Sequence, residues 1–299
     1  MEYQSYMEGD ITFEWLQSRF SPPDFEVAEL FHYTNQTGFL GILRDQKIRA
    51  THVGHLNDRS EIEHAVELIT EHVKDLRHHA KPVLPKLLDW ILTNLHGMTA
   101  QKTGIFVVSF SGNEDSLPQW DRYSPDFGYA MGFDRSRLNL INRVSDLNIR
   151  EANLIKILYS DKDKRSAIAN TISQLLDGAN SLGLVGFTTD GLFMGWNRDF
   201  LMSLRLLLTG LKHEAYISEE EYRLVVTHDP RIPTLAREGR HGIATYVTLE
   251  AANSQPLPLT SVVTGPSHYP ESAIFAVQQL LVGTLGFDAV RNSKIPKRT

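Results

Sequence analysis

The stretch AELFHYTNQTGFLGILRDQKIRATHVGHLNDRSEIEHA, from Ala28 to Ala65, begins as a short apolar run and ends in an amphipathic pattern. The run AELFHYT predicts a buried strand, because short apolar runs bounded by polar residues favour extended structure. The segment that starts at Ser60 repeats apolar residues at helical spacing and predicts a helix. Polar residues collect at the ends of both elements, as they do around a cleft. This stretch predicts a fold that mixes strands with helices.

The remaining elements are predicted from the same two periodicities. Strands are predicted at 103–111, 127–134, 152–160, 221–229 and 242–249, and helices at 84–97, 165–183, 199–211 and 269–286. Their irregular mixture favours an α+β fold over a regular βαβ series. Since no linker or repeat divides the chain, we predict a single domain over 1–299. A helical insertion at 60–98 is the alternative organisation.

The composition excludes several classes of protein. The chain has 299 residues with 41% hydrophobic and 22% charged residues, which is typical of globular proteins. Cysteine is absent, and so disulfides, thiolate nucleophiles and cysteine-bearing metal sites are excluded. The first residues, MEYQSYMEGDITFEW, lack the apolar core of a secretory signal, and no segment has the roughly 18 consecutive apolar residues of a spanning helix. We therefore expect a cytoplasmic protein with no membrane partner.

The net charge of −6 and the lack of a long basic run predict no broad binding to nucleic acids. Because net charge does not describe local patches, a local basic groove is still an alternative.

The first candidate cluster is HYT. In a strand, His32 and Thr34 point to one face and Tyr33 to the other. A histidine at the edge of the core that only needs a hydrogen-bond partner is the simpler interpretation.

In the second cluster, LNDRSE, Asn57 and Asp58 form a natural turn before the helix, and helix capping accounts for most of the pattern.

Hydroxyl and aromatic residues form the third and fourth clusters. Ser109 and Ser111 lie on one face at the end of a predicted strand, where they could form a polar wall for a ligand or satisfy the strand edge. Trp120 and Tyr123 precede a glycine-rich strand. They could cover the core or stack on a flat ring such as that of a nucleotide.

The fifth cluster is ISEEEYRLVV. In extended structure Glu219, Glu221 and Arg223 share a face. Acidic residues that lead into an apolar strand must point at solvent, a cation or a ligand. Arg223 could hold one carboxylate ionised by pairing with it. A solvated loop before a strand is the alternative.

Motifs for other chemistries are missing from the sequence. The residues His52, His55 and Asp58 do not follow a metal-ligand spacing, and no HExxH, GxSxG, P-loop or GxGxxG pattern occurs. We therefore predict no metal site, and the sequence motifs give no support to a hydrolase, a kinase or a dinucleotide dehydrogenase.

Six segments in order resemble a bacterial family of unknown function. They read FHYT, LNDRSE, VVSFS, PQWDRYSPDFGYAMGFD, EEEYRLVV and VRNSKIPKR, and they span nearly the whole chain. That family looks like a distant branch of the ADP-ribosyltransferase superfamily, whose members bind NAD in the cleft of a split sheet. The superfamily signature places His or Arg on an early strand, Tyr or Ser–x–Ser on a middle one, and Glu near a late one. The resemblance implies a split mixed β-sheet of ADP-ribosyltransferase-like type with flanking helices.

The resemblance also implies roles for residues around NAD as co-substrate. His32 would bind the adenosine ribose, with Thr34 beside it, although Tyr33 replaces the small Gly of the related HGT motif. Tyr33, Trp120 or Tyr123 would stack on nicotinamide. Ser109 and Ser111 would line the wall of the cleft. Glu221 would stabilise the positive charge as the glycosidic bond breaks, and Glu219 would act as general base. Arg223 could hold a phosphate.

Three functions are consistent with these residues. The first is an ADP-ribosyltransferase acting on an intracellular macromolecule, such as a bacterial toxin or a phage-defence effector, with a neutralising antitoxin or an activating partner. The second is a non-catalytic module that binds a nucleotide or a partner in the same cleft. The third is a hydrolase, either an NAD glycohydrolase or a metal-dependent nuclease that uses Asp58, Glu61 and Glu221.

Overall fold

A computed structural model describes most of the chain. The described residues are 27–56, 60–79, 88–89, 91–95, 104–123, 127–145, 148–181, 203–229, 231–239, 242–252 and 255–297. They separate into two compact units. The sheet unit comprises the described residues of Asp24–Leu56, Gly104–Lys156 and Ala215–Thr299, and the helical unit includes those of Asn57–Thr103 and Ile157–Glu214.

The sheet unit is built on twelve strands among the residues that the structure describes. They are β1 (Glu29–Asn35), β2 (Ile48–His52), β3 (Ile105–Ser111), β4 (Gly128–Asp134), β5 (Leu140–Ser145), β6 (Asn148–Glu151), β7 (Asn153–Lys156), β8 (Glu221–Thr227), β9 (Leu235–Gly239), β10 (Gly242–Ala251), β11 (Leu259–Thr264) and β12 (Val290–Asn292). Their order is β12-β11-β4-β1-β3-β2-β10-β5-β6, with β8 pairing β3 and β7, and β9 pairing β10. The β11–β12 pair is parallel and the other pairs are antiparallel, so the sheet is mixed and open.

Five helices have defined bounds in the described chain. The sheet unit contains α1 (Gln36–Asp45), α3 (Leu117–Tyr123) and α5 (Pro270–Leu280), and the helical unit contains α2 (Ser60–His79) and α4 (Asp161–Ser181). Residues 91–95 and 203–210 are also helical. Short 3₁₀ turns occupy Val53–His55, Arg135–Arg137, Glu214–Glu219 and Phe287–Ala289. The predicted α+β class is confirmed, because helices and a large mixed sheet occur together.

Strand β3 is the branch point of the sheet. One of its edges pairs with β8 along the full length, from Ile105 to Ser111. On the other edge, β2 pairs near the start of β3, where Thr51 faces Val107, whereas β1 pairs at the end, where Phe31 faces Ser111. The first and second strands therefore meet β3 at different ends and leave a gap around Ser109.

The main core of the sheet unit lies on one face of β3 and β8. It contains Phe106, Phe110, Tyr222 and Leu224, and α1 contributes Phe39 to it. The alternate residues of the same strands point to the opposite face, since successive strand side chains alternate. That opposite face carries the acidic and hydroxyl residues of the candidate site.

Close packing between β1, β4 and β11 requires a glycine. A Cβ on Gly132 would lie 2.3 Å from the Ser261 hydroxyl and 2.9 Å from the Phe31 ring. These distances are shorter than van der Waals contact. A larger residue at Gly132 would therefore push β1, the strand that carries the HYT motif, away from β4.

Two predicted segments lie wholly or largely outside the described residues. The turn residues Asn57 and Asp58 lie outside them, as does much of the helix predicted at 84–97. Within the part of the chain that the structure describes, no helix is long and apolar enough to cross a membrane.

Candidate functional site

The candidate site is centred on the first residue of β8. Glu219 ends a 3₁₀ turn and Glu221 begins the strand, and Glu220 between them adopts a left-handed backbone with φ of 44°. The sequence predicted that Glu219, Glu221 and Arg223 share one face of an extended strand. That prediction is wrong for Glu219, because the left-handed residue ends the turn and resets the alternation at Glu221.

Glu221 and Arg223 form a buried ion pair along β8. The guanidinium donates from Nε to Oε1 at 2.7 Å and from Nη2 to Oε2 at 2.9 Å. Both side chains are 3% exposed. Because a buried charge is strongly destabilising without a partner, each residue depends on the other. The expected pairing between Arg223 and one carboxylate is therefore present, and the carboxylate is Glu221.

Glu219 forms a second pair with an arginine that sequence reasoning did not single out. Arg122 Nη1 of α3 lies 2.5 Å from Glu219 Oε1, and the Arg122 guanidinium stands 5.6 Å from the centroid of the Tyr216 ring. Arg122, Glu219, Glu221 and Arg223 are called the acid–arginine cluster below. The cluster holds two carboxylates and two guanidinium groups, so its formal charges balance.

Ser111 fixes the turn that carries Glu219. Its hydroxyl donates to the Glu219 carbonyl at 2.7 Å and accepts from the Asn113 amide at 3.1 Å. Gln119 Nε2 also donates to the Glu219 carbonyl, at 3.4 Å. In the β3–β8 register Ser111 faces Glu221 and Ser109 faces Arg223. The predicted serine wall and the predicted acid therefore lie side by side on one sheet face.

His32 is placed differently. Its Nδ1 lies 3.0 Å from the Ser109 carbonyl, in the gap between β1 and β2, and its ring is 5.7 Å from that of Phe110 in the main core. A carbonyl only accepts, so Nδ1 carries the proton in this hydrogen bond. Burial lowers the pKa of His32, and the hydrogen bond to Ser109 opposes that shift.

The structure thus brings the three signature strands together without placing all three side chains on one face. Strands β1, β3 and β8 are neighbours in that order. His32 adjoins Phe110, whereas Ser111 and Glu221 alternate to the face opposite Phe110. The reason is the register of β1, in which Phe31 and not His32 faces Ser111.

Two of the three aromatic residues predicted to stack on nicotinamide are buried. Tyr33 is 5% exposed and Trp120 is 2% exposed, and their rings meet edge to face at 4.6 Å. The Tyr33 hydroxyl donates to the Asn113 carbonyl at 2.8 Å and accepts from the Ser116 amide at 2.9 Å. Burial raises the pKa of Tyr33. Both rings therefore support the loop after β3 instead of presenting an open face.

Tyr123 and Thr34 lie nearer the surface. Tyr123 is half-buried and packs against the small cluster that contains Tyr33 and Trp120. The half-buried Thr34 lies near the end of β1, where a Cβ on Gly38 of α1 would come within 2.0 Å of its hydroxyl. Asn35 caps that helix by accepting from the Gly38 amide at 2.9 Å.

The last predicted motif, VRNSKIPKR, returns to the same loop. Asp115 Oδ1 accepts from Trp120 Nε1 at 2.8 Å and from the Ser293 hydroxyl at 2.6 Å. Its other oxygen accepts from the Lys294 amide at 2.7 Å. Asp115 therefore ties the chain after β12 to α3.

Sequence reasoning missed Arg122, Gln119 and Asp115. Each lies inside or directly before the quoted motif PQWDRY. For Arg122 the available signal was a charged residue two positions from a buried tryptophan, but the sequence alone does not show which carboxylate it meets.

The residues named for a metal-dependent nuclease are paired or lie outside the described chain. Glu61 Oε1 lies 2.9 Å from Lys212 Nζ within the helical unit, and Glu221 is bound to Arg223. Asp58 lies outside the described residues. Among those residues no group of three or more His, Asp or Glu could hold a metal ion. His52, considered beside His55, instead accepts the Gly54 amide at its Nδ1.

A comparison with protein families finds one similarity. The model of the family described as Protein of unknown function (DUF2971) matches residues 119–224. No curated protein and no solved structure matches the chain. The matched range contains Trp120, Tyr123 and the acid–arginine cluster, and it leaves out His32 and the two serines of β3. The similarity supports the predicted relation to a family of unknown function and carries no activity with it.

Proposed function

We propose that this chain is an NAD-dependent ADP-ribosyltransferase that modifies an intracellular macromolecule. The observation that carries the proposal is the adjacency of β1, β3 and β8, which bear His32, the Ser–x–Ser pair and Glu221 in that order across the sheet. The three strands are far apart in the sequence, so their adjacency is a property of the fold. It supports the resemblance on which the proposal rests.

The proposed chemistry is a displacement at the ribose carbon that bears nicotinamide. The glycosidic bond breaks, its electron pair leaves with nicotinamide, and the acceptor nucleophile forms the new bond at the same carbon. Glu221 would accept a hydrogen bond from the adjacent ribose hydroxyl and offset the positive charge that develops. A carboxylate has acceptor capacity for more than two hydrogen bonds, so the pairing with Arg223 leaves that role chemically open.

Arg223 and Arg122 act as positioning residues in this proposal. Bidentate pairing fixes the plane of the Glu221 carboxylate, and a single contact with Arg122 holds one oxygen of Glu219. To accept the proton of the acceptor nucleophile, Glu219 must exchange Arg122 for the substrate. The two acids are thus oriented before the substrate binds.

NAD suits these residues in part. With Nδ1 of His32 bonded to Ser109, the neutral ring keeps Nε2 as an acceptor, which fits a ribose hydroxyl, but the ring lies on the sheet face opposite Glu221. Tyr33 and Trp120 are buried against each other, which leaves the half-buried Tyr123 as the candidate to stack on nicotinamide. The roles of His32 and Tyr123 are therefore the ones to test against NAD.

A non-catalytic binding module is the second candidate, and one observation favours it. Both carboxylates of the acid–arginine cluster are held by arginines, and Glu219 and Glu221 are 4% and 3% exposed. A cleft that only holds a nucleotide or a partner needs no accessible acid. In that case NAD or a related nucleotide stabilises the protein and no nicotinamide appears.

The decisive experiment follows nicotinamide release and acceptor labelling together. The purified chain is incubated with NAD labelled in the adenosine part, with and without cell extract. Glu221→Gln is expected to lower nicotinamide release by about 10²–10³-fold, as the loss of a transition-state stabiliser does. The matched control is Glu220→Gln, because Glu220 is exposed and is the adjacent acid.

Folding is separated from chemistry by a second variant. Glu221→Gln leaves Arg223 buried without its partner, whereas Glu221→Gln with Arg223→Met removes both charges. If the folded double variant releases nicotinamide as fast as the wild type, Glu221 is not catalytic and the proposal fails. Release without labelled macromolecule indicates an NAD glycohydrolase. No release from the folded wild type, with NAD binding retained, indicates the binding module.

A further inference from the structure

A second group of polar residues lies on strands β2, β9 and β10, away from the acid–arginine cluster. Thr51 of β2 faces Tyr246 of β10, and two pairs further along each ladder Arg49 faces Thr248 and Arg237 faces Ala244. The alternate residues, such as Ile48 and Ala50, point into the main core. Arg49, Thr51, Arg237 and Tyr246 therefore share one sheet face, which we call the basic face.

The two arginines of the basic face converge. The Arg49 guanidinium carbon lies 5.1 Å from the centroid of the Tyr246 ring, and Arg237 Nη2 donates to the Thr51 hydroxyl at 3.2 Å. Thr51 faces Tyr246 directly, so both guanidinium groups meet at this one cross-strand pair. Burial lowers the pKa of Arg237, and the charge of Arg49 adds to that shift.

Nearby carboxylates are already engaged. Glu250 pairs with Lys47 and with Arg143, each at 2.8 Å, and Asp45 is held by Arg44 at 2.7 Å. In the part of the chain that the structure describes, neither Arg49 nor Arg237 forms an ion pair.

Like charges held side by side repel each other, and an anion between them removes that repulsion. The arginines are at the surface, so an anion can reach them without opening the core.

We propose that Arg49, Thr51 and Arg237 form a binding site for a phosphate group of a nucleotide ligand. A guanidinium fork matches the oxygens of a phosphate, and two forks balance up to two negative charges. The Thr51 hydroxyl accepts from Arg237 and can donate its own proton to a third oxygen. A phosphate offers more acceptor oxygens than a carboxylate, and this donor set fits it better.

The site shares a sheet face with the acid–arginine cluster. Thr51 faces Val107 of β3, and Val107 faces Val225 of β8, two residues from Arg223 along the strand. Registered neighbours point to the same side of a sheet. The basic face and Glu221 therefore lie on the same side of the sheet, with the buried Val107 and Val225 between them. The phosphate site itself does not depend on any NAD chemistry.

Two sources could supply the phosphate, namely a free nucleotide or the backbone of a single-stranded nucleic acid. Binding of ADP-ribose, of inorganic phosphate and of a fluorescent oligothymidine of about twelve nucleotides, within the usual range of site sizes, is measured at several salt concentrations. The variants are Arg49→Gln, Arg237→Gln and the double substitution. Arg231→Gln is the matched control, because Arg231 is 88% exposed, lies next to β9 and pairs with Asp229.

The proposal expects weaker phosphate binding in each single variant and its loss in the double variant, with the control unchanged. If the oligonucleotide is the ligand, each lost arginine lowers the slope of log K against log salt by about one. If ADP-ribose binds and the oligonucleotide does not, the source is a free nucleotide.

The proposal is overturned if the folded wild type binds none of the three probes, or if the double variant binds them as well as the wild type does. It is also overturned if a polyglutamate peptide binds more tightly than every phosphate probe, since the site would then recognise carboxylates. None of these results depends on nicotinamide release, so they are distinct from a failure of the proposed transferase activity.

Discussion

At the scale of single residues, the Glu221–Arg223 pair has the largest predicted effect on stability. Arg223→Met removes the bidentate partner of the buried Glu221 carboxylate and is expected to lower the free energy of unfolding by about 3–5 kcal/mol. Adding Glu221→Gln removes the stranded charge and is expected to restore most of that loss. Urea unfolding of the four proteins in the double-mutant cycle measures the coupling. If the two single effects simply add, the pair does not act as one unit.

The Tyr33 hydroxyl has a structural role that a single-atom change tests. Tyr33→Phe removes the hydrogen bonds to Asn113 and from Ser116 while keeping the ring against Trp120. The free energy of unfolding is expected to fall by about 1–3 kcal/mol, because buried backbone groups lose their partner. Tyr269→Phe makes the same change at a tyrosine that is 77% exposed and should have little effect. Equal thermal shifts in the two variants would contradict the role of Tyr33.

His32 makes stability depend on pH in a definite direction. Its folded-state pKa is lowered by burial, and an unfolded histidine titrates near 6.5. Above that pH both states are neutral and no stability is lost. As pH falls through about 6.5, the unfolded chain binds the proton first, so stability falls by up to about 1.4 kcal/mol per pH unit until the folded pKa is reached.

His32→Gln should therefore flatten the loss of stability as pH falls below about 6.5. Some slope remains, because burial also lowers the pKa values of His52, His64 and His72. Urea unfolding at several pH values measures the slope, with His268→Gln, at an exposed position, as control. An unchanged slope in the His32 variant would show that another group governs the acid sensitivity.

At the scale of elements, α5 rests on the sheet through few residues. Val277 is fully buried in the main core, whereas Phe275, two positions earlier, is 63% exposed. Val277→Ala is expected to lower the free energy of unfolding by about 2 kcal/mol through lost burial and a residual cavity. Phe275→Gln should change it by less than about 0.5 kcal/mol. Thermal unfolding compares them, and a larger effect at Phe275 would mean that its ring is covered in solution.

The sequence predicts the elements with strong periodicity and misses those without it. Helix α2 and strand β8 were predicted from spacing, because a long apolar stripe and a short apolar run are local signals. Helix α1, inside the opening stretch, was not predicted, and its glycines at 38 and 41 weaken the helical signal there. Strands β2, β11 and β12 were also missed, because their pairing depends on distant partners. Strand β9 and the hairpin of β5 and β6 were missed as well.

The candidate site was predictable in its residue types but not in its pairing. The motif EEEYR indicates a carboxylate beside an arginine, and Arg223 does bind Glu221. Three successive acidic residues do not predict the left-handed backbone of Glu220, which separates Glu219 from the strand. The pairing of Glu219 with Arg122 joins residues almost a hundred positions apart, and only the folded chain shows it.

At the scale of the whole molecule, the end of the described chain returns to the middle of the sheet unit and contacts the loop between β3 and α3. Strand β12 pairs with β11 at the sheet edge, and the residues after it bond to the loop between β3 and α3. Ser293 also donates its amide to the Thr264 carbonyl at 2.8 Å, and Ile295 packs against the cluster of Tyr33 and Trp120. The first and last predicted motifs therefore meet at the loop between β3 and α3.

This closure predicts how truncated chains behave. A chain that ends at Asn292 loses three hydrogen bonds and the Ile295 contact, and its free energy of unfolding should fall by about 3 kcal/mol, at roughly 1 kcal/mol for each hydrogen bond. A chain that ends at Ile295 keeps all of these contacts and should unfold near the wild-type midpoint. Because a new terminal carboxylate at Asn292 would lie near Glu114 and Asp115, Ser293→Ala in the full chain separates hydrogen bonding from charge. Amide exchange in the loop 112–116 should rise in the shorter chain and, less strongly, in the Ser293 variant. If exchange there is unchanged in both, Tyr33 and Trp120 hold the loop without help from the chain after β12.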